Sequence, residues 1–218
     1  MTLMHPESRM PARHPVYGDL PAQVHGLARR FGLRRLEQRH DNRLVLGIYV
    51  LINSAISIAI IATIAAFTKQ PFLFPSLGPT AFLIFYDTRG RQSAPRCVFF
   101  GHLIGVLAGY LALVLFGLTM VTPDLTNITA PRIGAAMLCL CLTASLMVWL
   151  RVPHSPAAST TLMVGLGLIR TPEQLSVLML AVVLMIAQGV LINRLAGIPY
   201  PLWEPRQRSP LAPCQRAA

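Results

Sequence analysis

Long stretches without a charge alternate with short polar clusters along this chain. Residues 44–67, 97–120, 133–150 and 174–193 contain no Asp, Glu, Lys or Arg. At ~1.5 Å per residue, runs of this length cross the ~30 Å hydrocarbon core of a bilayer. A soluble helix seldom stays uncharged on every face for so long. The pattern predicts four full-length membrane helices in an all-α polytopic protein.

Two shorter apolar segments sit between these runs. One covers about 75–86 and follows Lys69-Gln70-Pro71-Phe72-Leu73-Phe74. The other covers about 155–169 and follows Arg151-Val152-Pro153-His154. The first is long enough for only about half a bilayer. Pro71, Pro75 and Pro79 also work against a regular helix through 70–78, because proline removes a donor and restricts the residue before it.

The placement of charge decides how these segments run. If all six cross and the N-terminus is cytoplasmic, sixteen of the nineteen basic residues fall inside and only Lys69, Arg132 and Arg170 fall outside. That asymmetry follows the positive-inside rule. If the short segments returned to the side they came from, Arg89, Arg91 and Arg96 would lie outside. Six crossings with both termini inside are therefore expected. Residues 1–43 are expected to form a partly disordered basic cytoplasmic arm, in which either Val24, Leu27 and Phe31 share one face of a surface helix between Pro21 and Asp41 or the whole arm is a disordered basic tail. A transmembrane domain covers 44–203, and a cytoplasmic tail covers 204–218.

The order long, short, long occurs twice, at about 44–120 and 132–196. Gly78-Pro79-Thr80-Ala81-Phe82-Leu83 precedes Ala158-Ser159-Thr160-Thr161-Leu162-Met163 by 80 residues. Three crossings per repeat invert the second copy relative to the first. Interrupted segments in matching positions of two halves point to a transporter binding site. Both half-helices would begin near the midplane, where irregular backbone survives only inside protein or along a cavity. Unpaired first-turn N–H groups and the positive end of the helix dipole make such starts anion sites. The residues placed there are Ser76, Gly78, Thr80, His154, Ser155, Ser159, Thr160 and Thr161. Accessory candidates are Asn53, His102, Gln188 and Asn193, the polar groups within the spans, together with Arg96.

Composition narrows the classes. Charged residues are 12% of the chain and hydrophobic residues 54%. The net charge of +11 sits in loops and tails without interleaved aromatics. That argues for lipid headgroups as partners and against nucleic acid. Cys97, Cys139, Cys141 and Cys214 show no metal-ligand spacing, and neither a metal nor a cofactor is expected. The long spans carry no carboxylate, no His-x-x-x-His pair and no Cys-His pair at motif spacing, so an enzyme is not expected.

Several short elements also occur in the order of a known family. His154-Ser155-Pro156-Ala157-Ala158-Ser159-Thr160 resembles the His-Pro-Pro-Ala-Gly-Ala-Thr signature of the HPP integral membrane proteins. Ser76-Leu77-Gly78-Pro79-Thr80-Ala81 is similar to that family's earlier Gly-Ala-(Ser/Thr)-Ala element. Pro95-Arg96 with Gly101-His102-Leu103, and Asn193 with Tyr200-Pro201-Leu202-Trp203, complete the resemblance over about 44–203. It implies a bundle usually described with four transmembrane segments, and a link to nitrite transport known for some members. By motif it carries over His154, Pro156, Ala157, Thr160, Gly78, Thr80, Arg96, His102 and Asn193. The chain departs where Ser155 replaces the first proline, where Ser159 follows Ala158 in place of Gly-Ala, and where Cys97 replaces an Asn. Ser155 restores a backbone N–H and adds a hydroxyl.

The expectation is a transporter or facilitator of a small inorganic anion, nitrite first, in a bacterial inner membrane. Six short segments enclose little volume, so a dimer is expected. The rivals are an anion channel built on the same site and a membrane scaffold or subunit without flux.

Overall fold

The computed structural model describes residues 42–70 and 72–205. The predicted basic arm and most of the tail lie outside these residues. Six α-helices form: α1 Asn42–Thr68, α2 Leu77–Tyr86, α3 Pro95–Leu115, α4 Ala130–Trp149, α5 Ala157–Gly165 and α6 Pro172–Leu195. Among the described residues there is no strand. α1, α3, α4 and α6 are long and apolar enough to span a membrane, with mean hydropathies of 2.4, 2.2, 1.7 and 2.6. α2 and α5 have ten and nine residues, so each reaches only about 15 Å.

Each triplet is built the same way. α1 is followed by Lys69 and α4 by Leu150 and Arg151, with Lys69 and Arg151 in the left-handed region at φ 57° and 56°. A side chain there costs roughly 1 kcal/mol, but it reverses the chain immediately after the helix. A short extended stretch follows, then a turn, then the short helix. The third helix of each triplet starts on a proline, Pro95 or Pro172, at the position where a missing N–H costs nothing. α6 adds a capping box in which Thr171 accepts from the Gln174 N–H.

Hydrogen bonds fix the direction of every segment. Tyr49 near the start of α1 donates to Asn193 near the end of α6. Arg96 N–H at the start of α3 donates to the Trp203 carbonyl beyond α6, and Arg91 donates to the Arg151 carbonyl beyond α4. At the opposite end, Arg132 in the first turn of α4 donates to carbonyls of Leu166, just past α5, and Thr122, past α3. Consecutive segments therefore alternate in direction, and the second triplet runs opposite to the first. The contacts obey the same two-fold exchange. α1 packs on α2 as α4 packs on α5, α3 on α5 as α6 on α2, and α3 on α4 as α6 on α1.

α3 is the central helix, with 56% of its apolar window buried against 17% for α1. Its approach to α5 depends on glycines four residues apart. A methyl group added at Gly101 would sit 2.7 Å from the His154 Cβ. At Gly105 it would sit 2.7 Å from the Thr161 hydroxyl, and at Gly109 2.7 Å from the Val164 Cβ. This Gly-x-x-x-Gly-x-x-x-Gly stripe lets α5 lie directly on the α3 backbone. Gly105, midway along α3, also faces the Ala157 carbonyl, so α5 begins halfway through the bundle.

Candidate functional site

Thr80 is the fourth residue of α2 and Thr160 the fourth residue of α5. The two threonines meet across a pair of histidines. Thr80 Oγ1 lies 3.1 Å from His102 Nε2 and 3.2 Å from His154 Nε2. His102 Nδ1 lies 2.8 Å from Thr160 Oγ1, and the two Nε2 atoms are 3.2 Å apart. His154 Nδ1 faces the Gln92 carbonyl at 2.7 Å. The ring centroids are 4.9 Å apart, inclined at 60°. All four side chains are at most 1% exposed.

The Gln92 carbonyl fixes one proton of this cluster, and one tautomer set that joins the two rings follows from it. A carbonyl only accepts, so His154 Nδ1 carries a hydrogen toward Gln92. In a neutral ring its Nε2 is then bare, and His102 Nε2–H donates to it. His102 Nδ1 is bare in turn and accepts from the Thr160 hydroxyl. The Thr80 hydroxyl donates to the Ser76 carbonyl at 2.8 Å. In this tautomer set the Thr80 oxygen and the bare His154 Nε2 face each other at 3.2 Å with no hydrogen between them.

The other candidates are distributed around this centre. Ser76 is fully buried at the start of α2, and its hydroxyl has no partner. Gly78 is exposed, with open space where a side chain would be. Ser155 is exposed, and both its N–H and its hydroxyl donate to the Gln92 side-chain oxygen. Ser159 is half-buried. Thr161 is buried but turns the other way, bonding Thr143 on α4 at 3.0 Å and the Ala157 carbonyl.

Arg96 pairs with Glu204 at 3.2 Å on the surface. Asn53 donates to the Tyr49 carbonyl of its own helix. Gln188 is half-buried, with its side-chain oxygen unpaired. Asn193 is a fully buried clamp: it accepts from Tyr49 and donates to the Ile84 and Gly189 carbonyls, tying α1, α2 and α6 together.

One expectation needs correction. The first-turn N–H groups of α5 are not free, because Ala157, Ala158 and Ser159 donate to the carbonyls of His154, Ser155 and Pro156. The preceding turn supplies these acceptors before any ligand can. On the α5 side the polar hydrogens of the centre therefore come from imidazoles and hydroxyls. Gln92 and Thr143 were absent from the sequence-based set. The glycine spacing 101, 105, 109 was legible and would have placed His102 against α5. Gln92 carried no such signal, being a polar residue in a loop.

The site is held from below by Tyr200, whose hydroxyl donates to the Ser93 carbonyl in the turn Arg91–Ser93. Burial pushes the Tyr200 phenol up from its ordinary range, so it remains a donor. Among the described residues, no group of three His, Cys, Asp or Glu is suited to hold a metal.

Four helices long and apolar enough to span a membrane, two half-length helices and a buried polar centre where these begin define a polytopic membrane protein. The chain belongs to the HPP family: the family model described as HPP, transmembrane region, matches residues 40–201. No curated protein and no solved structure matches it.

Proposed function

We propose that the protein is a membrane transporter or facilitator of a small inorganic anion, with nitrite as first candidate. The observation that carries this reading is the meeting of Thr80 and Thr160 across His102 and His154, where both half-helices begin. Intramembrane polar groups are costly to bury, and ionisable ones inside a span are functional candidates by default; this centre holds two buried histidines. Nitrite is drawn from the resemblance to family members linked to its transport. The burial of all four side chains favours a carrier with alternating access over an open pore. The protein works without cofactor or catalysis, in a bacterial inner membrane, with its arginine-rich end in the cytoplasm. A dimer is proposed, because α1 leaves the broadest face uncovered of the four spans.

Nitrite uptake into vesicles, with and without reconstituted protein, tests the reading. Protein-dependent, saturable uptake is expected, and Thr80→Ala with Thr160→Ala together should lower it at least tenfold. Equal rates in protein-free vesicles at several pH values overturn nitrite as the substrate.

A further inference from the structure

We infer that anion and proton bind together at the histidine pair, so that transport is anion–proton cotransport. This rests on the anion reading above and names its coupling ion. In the neutral cluster the hydrogens of the two histidines and two threonines are already committed. His154 donates to Gln92, His102 to His154, Thr160 to His102 and Thr80 to Ser76. An anion entering that state meets no charged donor at the pair, only the unpartnered Ser76 hydroxyl at the start of α2, and brings an uncompensated charge into a buried site, which is strongly unfavourable.

One added proton changes both facts. It forms an N–H bond at His154 Nε2, the bare atom that faces the Thr80 oxygen at 3.2 Å. His102 Nε2–H faces the same oxygen at 3.1 Å. Two N–H donors, one of them on an imidazolium, then converge on a single point. In the closed state Thr80 Oγ1 occupies that point. A withdrawal of α2 carries Thr80 away and leaves the point to an anion oxygen. The proton supplies the counter-charge, and a monovalent anion with one proton crosses as a neutral pair. On release the N–H bond at His154 Nε2 breaks and the proton leaves with the anion.

The elements packed on the pair offer no rival titrating partner at the centre. α2 presents Thr80, α5 presents Thr160, and the turn before α3 presents a carbonyl. The charged groups of these elements lie at their ends: Asp87 and Arg89 after α2, Arg91 bound to the Arg151 carbonyl, Arg151 after α4, and Arg96 bound to Glu204. Cys97, the other titratable group on this part of α3, is buried among Ala94, Met147 and Val152.

Reconstituted protein with a pH dye in the vesicle lumen tests this, with the membrane potential clamped by potassium and valinomycin. Protein-free vesicles subtract passive entry of nitrous acid. An inward nitrite gradient should acidify the lumen by one proton per nitrite, with rates rising as pH falls and unchanged by the imposed potential. His154→Gln, which keeps a polar group that cannot titrate, should lose at least 90% of the uptake and the pH dependence of the rest. If that variant misfolds, the potential dependence of the wild-type protein decides alone. Uptake that follows the potential while luminal pH stays constant overturns the coupling and leaves the nitrite reading intact. No protein-dependent uptake at any pH overturns the nitrite reading itself.

Discussion

The two triplets share one plan but differ in how tightly the short helix is seated. In the second, α5 is held on both sides. Glycines of α3 admit it at backbone distance, Thr161 bonds Thr143 of α4, and Gly165 packs against Cys139. In the first, α1 and α2 leave a groove of about 510 Å³ between them, lined by Arg43, Leu46, Val50, Phe82 and Tyr86. Where the second triplet has a bonded pair of threonines, this region carries buried Ser57 and Ser76 hydroxyls without partners. The lesson is a division of labour within one pseudo-symmetric bundle. α5 with α3 and α4 forms a fixed post that carries His102, His154 and Thr160. α1 with α2 forms the looser arm that carries Thr80. Rocking of one group of helices against another is a common route to alternating access, and for the proposed carrier the packing would make α1 with α2 the moving part.

The glycine stripe gives the largest contrast. Gly105→Leu drives a side chain into the Thr161 hydroxyl and the Ala157 carbonyl, the second of which is backbone and cannot yield. A loss of about 3 kcal/mol or more is expected, read as a fall in Tm in detergent. Gly78→Ala, on the arm, meets nothing within 4 Å and should be neutral or stabilising by about 0.5 kcal/mol. Similar losses at the two positions would break the post-and-arm distinction.

The clamp at Asn193 comes next. Asn193→Leu removes two donations, to Ile84 and Gly189, and leaves the Tyr49 hydroxyl without its acceptor. About 2 kcal/mol should be lost, because buried groups are left unsatisfied. The loss should be local, so hydrogen exchange should speed up in α1 and α2 while α5 stays protected. Uniform deprotection would show that the arm has no independence.

The long helices were legible because lipid imposes a simple rule on sequence, the exclusion of charge. The charge-free run 97–120 overshoots α3 only because Phe116 and Gly117, the latter at φ 67°, end the helix without adding a charge. The short helices start at Leu77 and Ala157, two residues after Pro75 and Ser155, since each turn needs residues of its own. The second ends at Gly165 rather than near Ile169, where Gly167 at φ 80° reverses the chain.

The site was legible by neighbourhood and not by direction. Thr160 and Thr161 are adjacent in sequence but about 100° apart on a helix, so only one can face the histidines. Which one does depends on how the glycine stripe rotates α5 against α3. Arg96, carried over from the family motif, serves the surface through Glu204 because it lies in the first turn of α3, below the buried centre.

The smallest effect is the most specific test of the comparison. Thr143 and Thr161 lie at the seam of the post, and their hydroxyls bond at 3.0 Å. A double-mutant cycle with Thr143→Val and Thr161→Val isolates that bond from the other contacts of each side chain. Hydrogen bonds between membrane helices average about 0.6 kcal/mol, so a coupling of ~0.5 to 1 kcal/mol is expected. Ser57 in α1 is as deeply buried but has no partner. Removing its hydroxyl forfeits no bond and relieves a buried polar atom, so Ser57→Ala should raise stability by a few tenths of a kcal/mol. A gain at Ser57 beside a loss at Thr161 would show that the arm gives up packing energy that the post retains. If Ser57→Ala instead costs 1 kcal/mol or more, its hydroxyl is satisfied in the membrane and the arm is as firmly seated as the post.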